Sequence, residues 1–213
     1  MGKQWDKMFK EKGKVFTKVQ EDIPKIAKIF KKHKVKRILD LGCGSGRHLV
    51  YLAKHGFEVY GIDIAPEGIK IARKWLREEK LKANLKVGDI YKKLPYQNNF
   101  FDAIISMVTL HHNRIEKIRK LIKEIERILK SKGLIFITVT KKKTKEELKR
   151  IPKEKIWEIK MIAPRTFVPL SHEEKGLIHY WFNKKLLRKE FKNFKIYDIW
   201  VRKNHYCLLG ELK

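Results

Sequence analysis

The feature that most constrains the fold is a glycine-rich turn between an apolar run and an amphipathic run. The sequence "RILDLGCGSGRHLVYL" begins at Arg37 and places Gly42, Gly44 and Gly46 at alternate positions, two residues after Asp40. Glycines let a loop turn tightly and let a ligand touch the backbone. In open α/β sheets, ligands bind at such a turn, beyond the carboxyl end of a strand. The sequence therefore predicts a ligand site at the end of the first strand.

Strand-like and helix-like patterns alternate on both sides of this turn. Such alternation is typical of a parallel sheet with helices on both faces, a doubly wound α/β fold. The apolar spacing also predicts an N-terminal helix over 23–30, and Asn183 is placed to cap a helix that reaches about residue 191. A final hairpin would add an antiparallel edge. The predicted strands are 37–41, 58–62, 85–87, 101–107, 134–140, 195–201 and 205–209, and the core helices are 47–55, 67–79 and 114–130.

The chain of 213 residues is long enough to bury a sizeable core and suits one domain better than two. Its sequence nevertheless divides into four parts of different character. These are an N-terminal helical cap (1–34), a cofactor-binding core (35–140), an insertion that caps the acceptor (141–182) and a C-terminal helix with a hairpin (183–213).

A carboxylate after the second strand indicates what the glycine turn binds. Asp63 lies where it can accept hydrogen bonds from both hydroxyls of a ribose, which predicts a nucleoside ligand. The chain has no phosphate-binding GxxxxGK[ST] motif, and its glycines do not have the GxGxxG spacing of dinucleotide-binding folds. Asp40 would repel a pyrophosphate. It suits a cationic ligand with an amino group, such as S-adenosylmethionine.

Four segments, in order and at the right spacing, carry a resemblance to a known family. They are "LDLGCGSGRH", "VYGIDIAP", "VGDIYKKLPYQNNFFDAIISMVTLHH" and "LKSKGLIFITV". With these segments the chain resembles the class I S-adenosylmethionine-dependent methyltransferases, over about residues 35–140 and more loosely to the end. The "LHH" form is similar to small single-domain enzymes of quinone biosynthesis. The resemblance implies a Rossmann-like fold, S-adenosylmethionine as cofactor and S-adenosylhomocysteine as product.

The resemblance also implies residues that hold the cofactor. Asp63 would bind the ribose, and Asp89 would accept from the adenine amino group. An ordinary turn residue is the alternative for Asp89, and Cys43 is interpreted as a small loop residue. The full implied set is Asp40, Gly42, Gly44, Gly46, Asp63, Ile64, Asp89, Ile90 and Ser106.

The residues after the fourth strand bear on the methyl acceptor. Neither an Asn-Pro-Pro-Tyr motif nor a Pro-Cys nucleophile occurs there, which disfavours N6-adenine and cytosine-5 chemistry. His111 and His112 are the candidate general bases, because histidine titrates near neutral pH. The alternative is that they shape the loop or touch the cofactor. No metal is expected, because adjacent histidines without a nearby carboxylate in the sequence make a poor metal site.

An aromatic segment after the fifth strand, "RTFVPLSHEEKGLIHYWF", has no net charge and can fold over the site. We interpret it as a wall of the acceptor pocket, with an ordinary core strand as the alternative. Near the N-terminus, Trp5 and Phe9 would close the site from the other end. The alternative is that they only pack into the core. The candidate substrate residues are Phe167, His172, His179, Tyr180 and Trp181 from the segment, and Trp5 and Phe9 from the N-terminus.

The chain has 52 basic and 24 acidic residues, a net charge of +28. This charge favours an anionic partner such as tRNA or rRNA, and Lys141, Lys142 and Lys143 follow the fifth strand on the ligand edge. The same Lys- and Glu-rich, glutamine-poor composition is also typical of thermophile proteins. No apolar run approaches the roughly 20 residues of a membrane span, and no signal peptide is evident, so we expect a cytoplasmic protein.

These observations lead to one preferred function and two alternatives. The preferred function is methyl transfer to a small-molecule acceptor, on the strength of the histidine pair and the uncharged aromatic segment. RNA methylation is the alternative that the charge favours. A protein that binds S-adenosylmethionine without catalysis is the third. The sequence does not predict an oligomeric state.

Overall fold

The computed structural model describes residues 2–153 and 156–213. Ten strands form two sheets. The larger has seven strands in the order β3-β2-β1-β4-β5-β10-β9, and the smaller has the order β6-β7-β8. The strands are β1 (Arg37–Leu41), β2 (Glu58–Asp63), β3 (Asn84–Val87), β4 (Phe101–Met107), β5 (Leu129–Thr140), β6 (Ile159–Ala163), β7 (Thr166–Pro169), β8 (His179–Tyr180), β9 (Phe194–Arg202) and β10 (His205–Leu212).

The first five strands of the large sheet pair in parallel, and the last two pair antiparallel. This confirms the predicted parallel sheet with a C-terminal hairpin edge. The topology reverses direction at β1 and β4, so the carboxyl ends of these two strands flank a crevice. The helices are α1 (Gly2–Lys12), α2 (Ile23–Lys32), α3 (Arg47–Lys54), α4 (Pro66–Glu78), α5 (Ile115–Ile128), α6 (Lys145–Lys149) and α7 (Lys184–Glu190).

Two apolar layers hold the helices against the two faces of the large sheet. Successive residues of a strand point to opposite faces, and in β1 Ile38 packs into one layer while Leu39 packs into the other. Helix α2 supplies Phe30 to the first layer, and α5 supplies Ile122 to the second. The predicted doubly wound arrangement is therefore confirmed. Because both faces of the sheet are buried, the central strands are continuous apolar runs in the sequence.

The structure differs from the sequence-based prediction mainly in the insertion. That segment has poor periodicity, and a single core strand was considered there only as an alternative, yet its strands pair antiparallel as Met161 with Phe167 and Phe167 with His179. The strands are two to five residues long, too short to establish a period-two pattern. Strand β5 also begins at Leu129, five residues earlier than predicted, because it follows α5 directly.

Helix α1 lies across the carboxyl edge of the sheet, against α4. Met8 and Phe9 are its buried residues, and they pack with Ala65 in a small apolar cluster of their own. The helix therefore covers the glycine turn from above. Within the described residues, no helix is both long enough and apolar enough to cross a membrane.

Candidate active site

The glycine turn adopts a conformation that other residues rarely accept. Gly42, Gly44 and Gly46 have φ values of 78°, 52° and 90°, all in the left-handed region. A Cβ on Gly42 would lie 2.3 Å from the Cγ2 of Thr109. The loop between β1 and α3 therefore has exposed backbone on one side and the Thr109 side chain against it on the other.

Asp63, the last residue of β2, is tied to this loop. Its Oδ2 accepts from the Gly44 amide at 2.8 Å, and its Oδ1 accepts from the Ala65 amide at 2.9 Å. Burial raises the pKa of Asp63, and the two backbone hydrogen bonds counteract part of that rise. The carboxylate is thus fixed in orientation at the edge of the crevice.

Asp40 is a buried carboxylate whose two oxygens have no hydrogen-bond partner among the described residues. The nearest cationic candidate is His48, whose Nδ1 lies 3.8 Å from its Oδ2. Burial lowers the pKa of His48, with partial opposition from Asp40. Buried polar atoms are nearly always paired. Both oxygens of Asp40 therefore have hydrogen-bonding capacity that the described residues do not use.

A cavity of about 350 Å³ runs along this edge of the sheet. Its volume lies in the range of small-molecule and cofactor pockets. It extends from Asp63 and Asp89 to His112 and Glu174. The lining residues are Trp5, Phe9, Phe16, Gly42, Cys43, Gly44, Ser45, Arg47, His48, Asp63, Ile64, Asp89, Ile90, Tyr91, Met107, Val108, Thr109, His112 and Glu174.

Six of the nine residues expected to hold the cofactor line this cavity, and three do not. Asp40 and Gly46 lie behind its wall, and Ser106 is fully buried. The Ser106 hydroxyl donates to the Leu41 carbonyl at 3.3 Å, so it links β4 to β1 and does not border the cavity. The six lining residues are Gly42, Gly44, Asp63, Ile64, Asp89 and Ile90.

Met107, Val108 and Thr109 form the part of the cavity wall that was expected at Ser106. Val108 has φ of 59°, a strained conformation for a β-branched residue, and its amide donates to the Thr138 carbonyl and hydroxyl at 3.1 and 2.8 Å. Such strain persists where the surroundings enforce it, often at functional sites. Nothing in the sequence indicates a left-handed valine, so Met107, Val108 and Thr109 were missed.

Helix α1 closes the cavity from above. Phe9 is buried, and its ring lies against Gly44 and Gly68, where an added Cβ would meet it at 3.2 and 2.9 Å. Trp5 lies over His112, with ring centroids 5.8 Å apart and planes at 74°. The expectation that Trp5 and Phe9 lie at the site is consistent with this geometry.

Three histidines and a glutamate meet at the far end of the cavity. His111, His112 and His179 are all buried, and each offers one nitrogen within 4.8 Å of the others. Glu174 Oε2 lies 2.8 Å from His179 Nε2. Sequence reasoning assigned the three histidines to the acceptor side separately. It did not predict their contact or the role of Glu174, because some 60 positions separate the histidine pair from the segment that contributes His179 and Glu174.

The structure distinguishes the two adjacent histidines. Only His112 lines the cavity, while His111 lies behind it and receives a weak contact from the Thr140 amide at 3.4 Å. Burial lowers the pKa of His112 to about 4 and that of His111 well below its usual value. Both rings are therefore neutral near pH 7.

Apart from Glu174, the residues of the aromatic segment (165–182) do not line the cavity. Phe167 stacks on His179 and on Trp181, and Tyr180 packs into a core layer. His172 stacks on Trp157 at an exposed position. The described cavity lining thus includes Glu174 from this segment and none of its five predicted substrate residues. Phe167 packs directly on His179, and Trp181 packs on Phe167, so both stabilise the histidine cluster from outside the cavity.

Comparison with known proteins supports the resemblance seen in the sequence. A methyltransferase-domain family model matches residues 39–137, which run from within β1 into β5 and include most of the cavity lining. A solved structure named for S-adenosylmethionine-dependent methyltransferases, from Methanosarcina mazei, superposes with a TM-score of 0.68 at 25% identity, over 83% of this chain and 92% of that one. Together these matches support a class I S-adenosylmethionine-dependent methyltransferase.

The names of two curated relatives indicate different methyltransferase activities. The mouse EEF1A lysine methyltransferase 2 is 30% identical over 153 residues, 63% of each chain. A ubiquinone biosynthesis O-methyltransferase from Xanthomonas oryzae is 32% identical over 102 residues, 48% of this chain and 42% of that one. The chain thus spans under two thirds of the length of these relatives.

The cofactor of the family is S-adenosylmethionine, and the residues present fit it. The cavity has carboxylates at Asp63 and Asp89, bare backbone at Gly42 and Gly44, and an unpaired buried carboxylate, Asp40, behind the loop. These groups suit hydroxyls, an adenine amino group and a cationic amino-acid end. The nucleoside interpretation of the glycine turn therefore agrees with both the geometry and the family.

Proposed function

We propose that this protein transfers the methyl group of S-adenosylmethionine to a small-molecule acceptor bound at the His112 end of the cavity. The observation that carries the proposal is the lining of the cavity. One cavity is lined by Asp63 and Asp89 as well as by His112 and Glu174, and α1 covers it with Trp5. An acceptor that reacts there must be small enough to enter a covered space.

The bound cofactor supplies an activated methyl group on a sulfonium. The chain's own task is to hold the cofactor and align the acceptor in line with that methyl group. Asp63 is the proposed ribose ligand and Asp89 the proposed adenine ligand. Held by these residues, S-adenosylmethionine would supply the methyl group and leave as S-adenosylhomocysteine, and the proton released by the acceptor atom would pass to solvent.

Two residues are proposed to contact the acceptor directly. His112 and Glu174 line the far end of the cavity, opposite the two nucleoside-binding carboxylates. His111 does not line the cavity and is not proposed to contact the acceptor. Tyr180 is likewise assigned to the core, and Phe167, His172 and Trp181 to positions outside the acceptor contact.

The RNA alternative receives less support from the lysines that suggested it. Lys141 is buried, and its Nζ forms an ion pair with Glu147 at 2.6 Å. Lys142 lies over the Trp181 ring at 5.3 Å. The charge of Lys141 is thus paired within the protein, so the three consecutive lysines do not act together as a phosphate-binding stripe, although Lys142 is exposed.

Labelled transfer into a cell extract tests the proposal. The protein is incubated with methyl-labelled S-adenosylmethionine and an extract, which is then separated into small molecules, protein and RNA. We expect label in the small-molecule fraction, and none with Asp63→Asn. Nuclease-sensitive label in RNA, or label in protein as the mouse relative's name suggests, would overturn the acceptor class. Cofactor binding with no label in any fraction would favour the binding-only alternative.

A further inference from the structure

In the histidine cluster, a nitrogen lone pair faces a carboxylate. Two such acceptors repel each other unless a cation, either a proton or a metal ion, is shared by them. The His179 Nδ1 lies 3.0 Å from the Leu177 carbonyl, and a carbonyl can only accept, so Nδ1 carries the proton. In the neutral ring this leaves a lone pair on Nε2. That lone pair faces the Glu174 carboxylate at 2.8 Å. Two acceptors at this distance repel unless a proton lies between them or both atoms shift slightly apart to bind one metal ion.

His112 is oriented in the same way. Its Nε2 lies 3.1 Å from the Val108 carbonyl and must donate to it, which leaves the lone pair on Nδ1. This Nδ1 is buried and has no hydrogen-bond partner among the described residues. A backbone carbonyl that fixes the ring of a histidine and leaves its other nitrogen free is the usual outer contact of a metal ligand.

The spacing of the nitrogens is close to that of a metal site. A point equidistant from three atoms 4.8 Å apart lies about 2.8 Å from each, and a Zn–N bond is about 2.0 Å. Each nitrogen would therefore move inward by less than about 1 Å, which small side-chain rotations provide. The rings are already neighbours, with centroids 4.4 Å apart for His111 and His112, and 4.5 Å apart for His112 and His179.

We propose that His111, His112, His179 and Glu174 form a binding site for a divalent transition-metal ion such as Zn²⁺. Three imidazoles with one carboxylate favour zinc and its neighbours over Mg²⁺, which prefers oxygen ligands. The ion has an entry route, because His112 and Glu174 border the cavity. This revises the expectation of no metal, which was based on the absence of a nearby carboxylate in the sequence.

The position of the ion extends the proposed function. It would lie at the acceptor end of the cavity, where it binds and orients an anionic oxygen of the acceptor. That second step rests on the proposed methyl transfer, whereas metal binding itself does not. Metal binding and methyl transfer can therefore be disproved independently. The test of metal binding requires no methyl acceptor.

Metal titration of the untagged full-length protein tests the site. The protein is stripped with a chelator, then titrated with Co²⁺, read by its visible absorption, and with Zn²⁺ in competition. We expect one ion per chain, a tetrahedral Co²⁺ spectrum and no competition from Mg²⁺. His179→Gln and the nearly isosteric Glu174→Gln should each weaken binding by about 100-fold. Their melting temperatures without metal serve as the folding check.

His55→Gln is the matched control, since His55 is an exposed histidine that stacks on Tyr51 far from the cluster. It should bind Zn²⁺ as the wild type does. Two results would overturn the proposal. One is no Zn²⁺ binding tighter than that of Mg²⁺, which would mean that a proton alone joins His179 to Glu174. The other is equal Zn²⁺ affinity in the wild type, His179→Gln and Glu174→Gln.

Discussion

At the scale of single residues, the account depends on the few positions where backbone comes close to the ligand. Gly42 combines a positive φ with a neighbour that leaves no room for a side chain. Asp63 orients the same loop through the Gly44 amide. Both residues could be predicted from the motif, because glycine spacing and an acidic residue after β2 are local signals. Val108 could not, because its strain comes from Thr138 on a neighbouring strand.

Gly42→Ala should lower the free energy of unfolding by about 2 kcal/mol, through its left-handed φ and its collision with Thr109. Denaturant unfolding measures this loss. The double variant Gly42→Ala/Thr109→Gly separates the two causes, because it removes the atoms that the new methyl group meets at 2.3 to 2.8 Å. Partial recovery of stability relative to the sum of the single variants is expected. Strict additivity would show that the collision contributes nothing.

At the scale of elements, α1 acts as the roof of the cavity. Among the described residues, its buried apolar contacts form only a small cluster of Met8, Phe9 and Ala65, supplemented by a hydrogen bond from the Glu67 amide to Asp6, while the sheet has two extensive apolar layers. The helix can therefore open while the sheet stays folded, because local stability follows buried apolar contact. Its approach over the glycine turn depends on Phe9 fitting against Gly44 and Gly68.

Phe9→Ala should detach α1, since losing a buried Phe costs about 3 kcal/mol or more, a large share of what so small a cluster supplies. We expect faster amide exchange over residues 2–12, weaker binding of S-adenosylhomocysteine and little change in exchange of β1 and β4. Hydrogen exchange with mass spectrometry measures all three. Lys7→Ala, on the exposed face of α1, is the control. Unchanged exchange in Phe9→Ala would contradict the role of α1 as a separable roof.

The C-terminal hairpin is joined to α2 by a buried carboxylate. Asp22 accepts from Arg202 at 2.9 Å and from Trp200 at 3.3 Å. Burial is the largest single effect and raises the pKa of Asp22. The hydrogen bond and charge of Arg202, with hydrogen bonds from Trp200 and Cys207, together outweigh it, so the pKa lies below its usual 3.8. The stability from this contact is present above that value and is lost as the pH falls through the lowered pKa.

Asp22→Asn should therefore lower the free energy of unfolding by about 2 kcal/mol at pH 7. The difference from the wild type should stay constant down to about pH 4 and shrink below pH 3.8. Denaturant unfolding across this pH range measures it. Asp198→Asn, at an exposed position on β9, should show no such difference. A difference that grows below pH 4 would contradict the sign of the pKa shift.

The elements also show where sequence reasoning reaches its limit. The parallel core and the hairpin were predictable, because buried strands and amphipathic helices have strong local periods. The small sheet was not, because its strands are too short to show a period. The same holds for the site. The glycine turn and its carboxylates are local, whereas the meeting of His112 with Glu174 depends on tertiary packing.

At the scale of the whole molecule, the net charge of +28 allows a salt-dependent test. If the acceptor is small, its KM should change less than about threefold between 50 and 200 mM salt. An RNA acceptor held by six or more phosphates would bind about a thousandfold more weakly over the same range. Initial rates at several salt concentrations, with whichever acceptor the labelling identifies, distinguish the two. A steep dependence would assign the charge to substrate binding.

The most direct test of the central claim, that the covered cavity is the S-adenosylmethionine site, is calorimetric titration with S-adenosylhomocysteine. The wild type should bind one equivalent. Asp63→Asn should bind about 100-fold more weakly, because two charge-assisted hydrogen bonds to the ribose are weakened. Asp198→Asn is the surface control and should bind normally. Equal affinity in the wild type and Asp63→Asn, with Asp63→Asn still folded, would contradict the placement of the cofactor in this cavity.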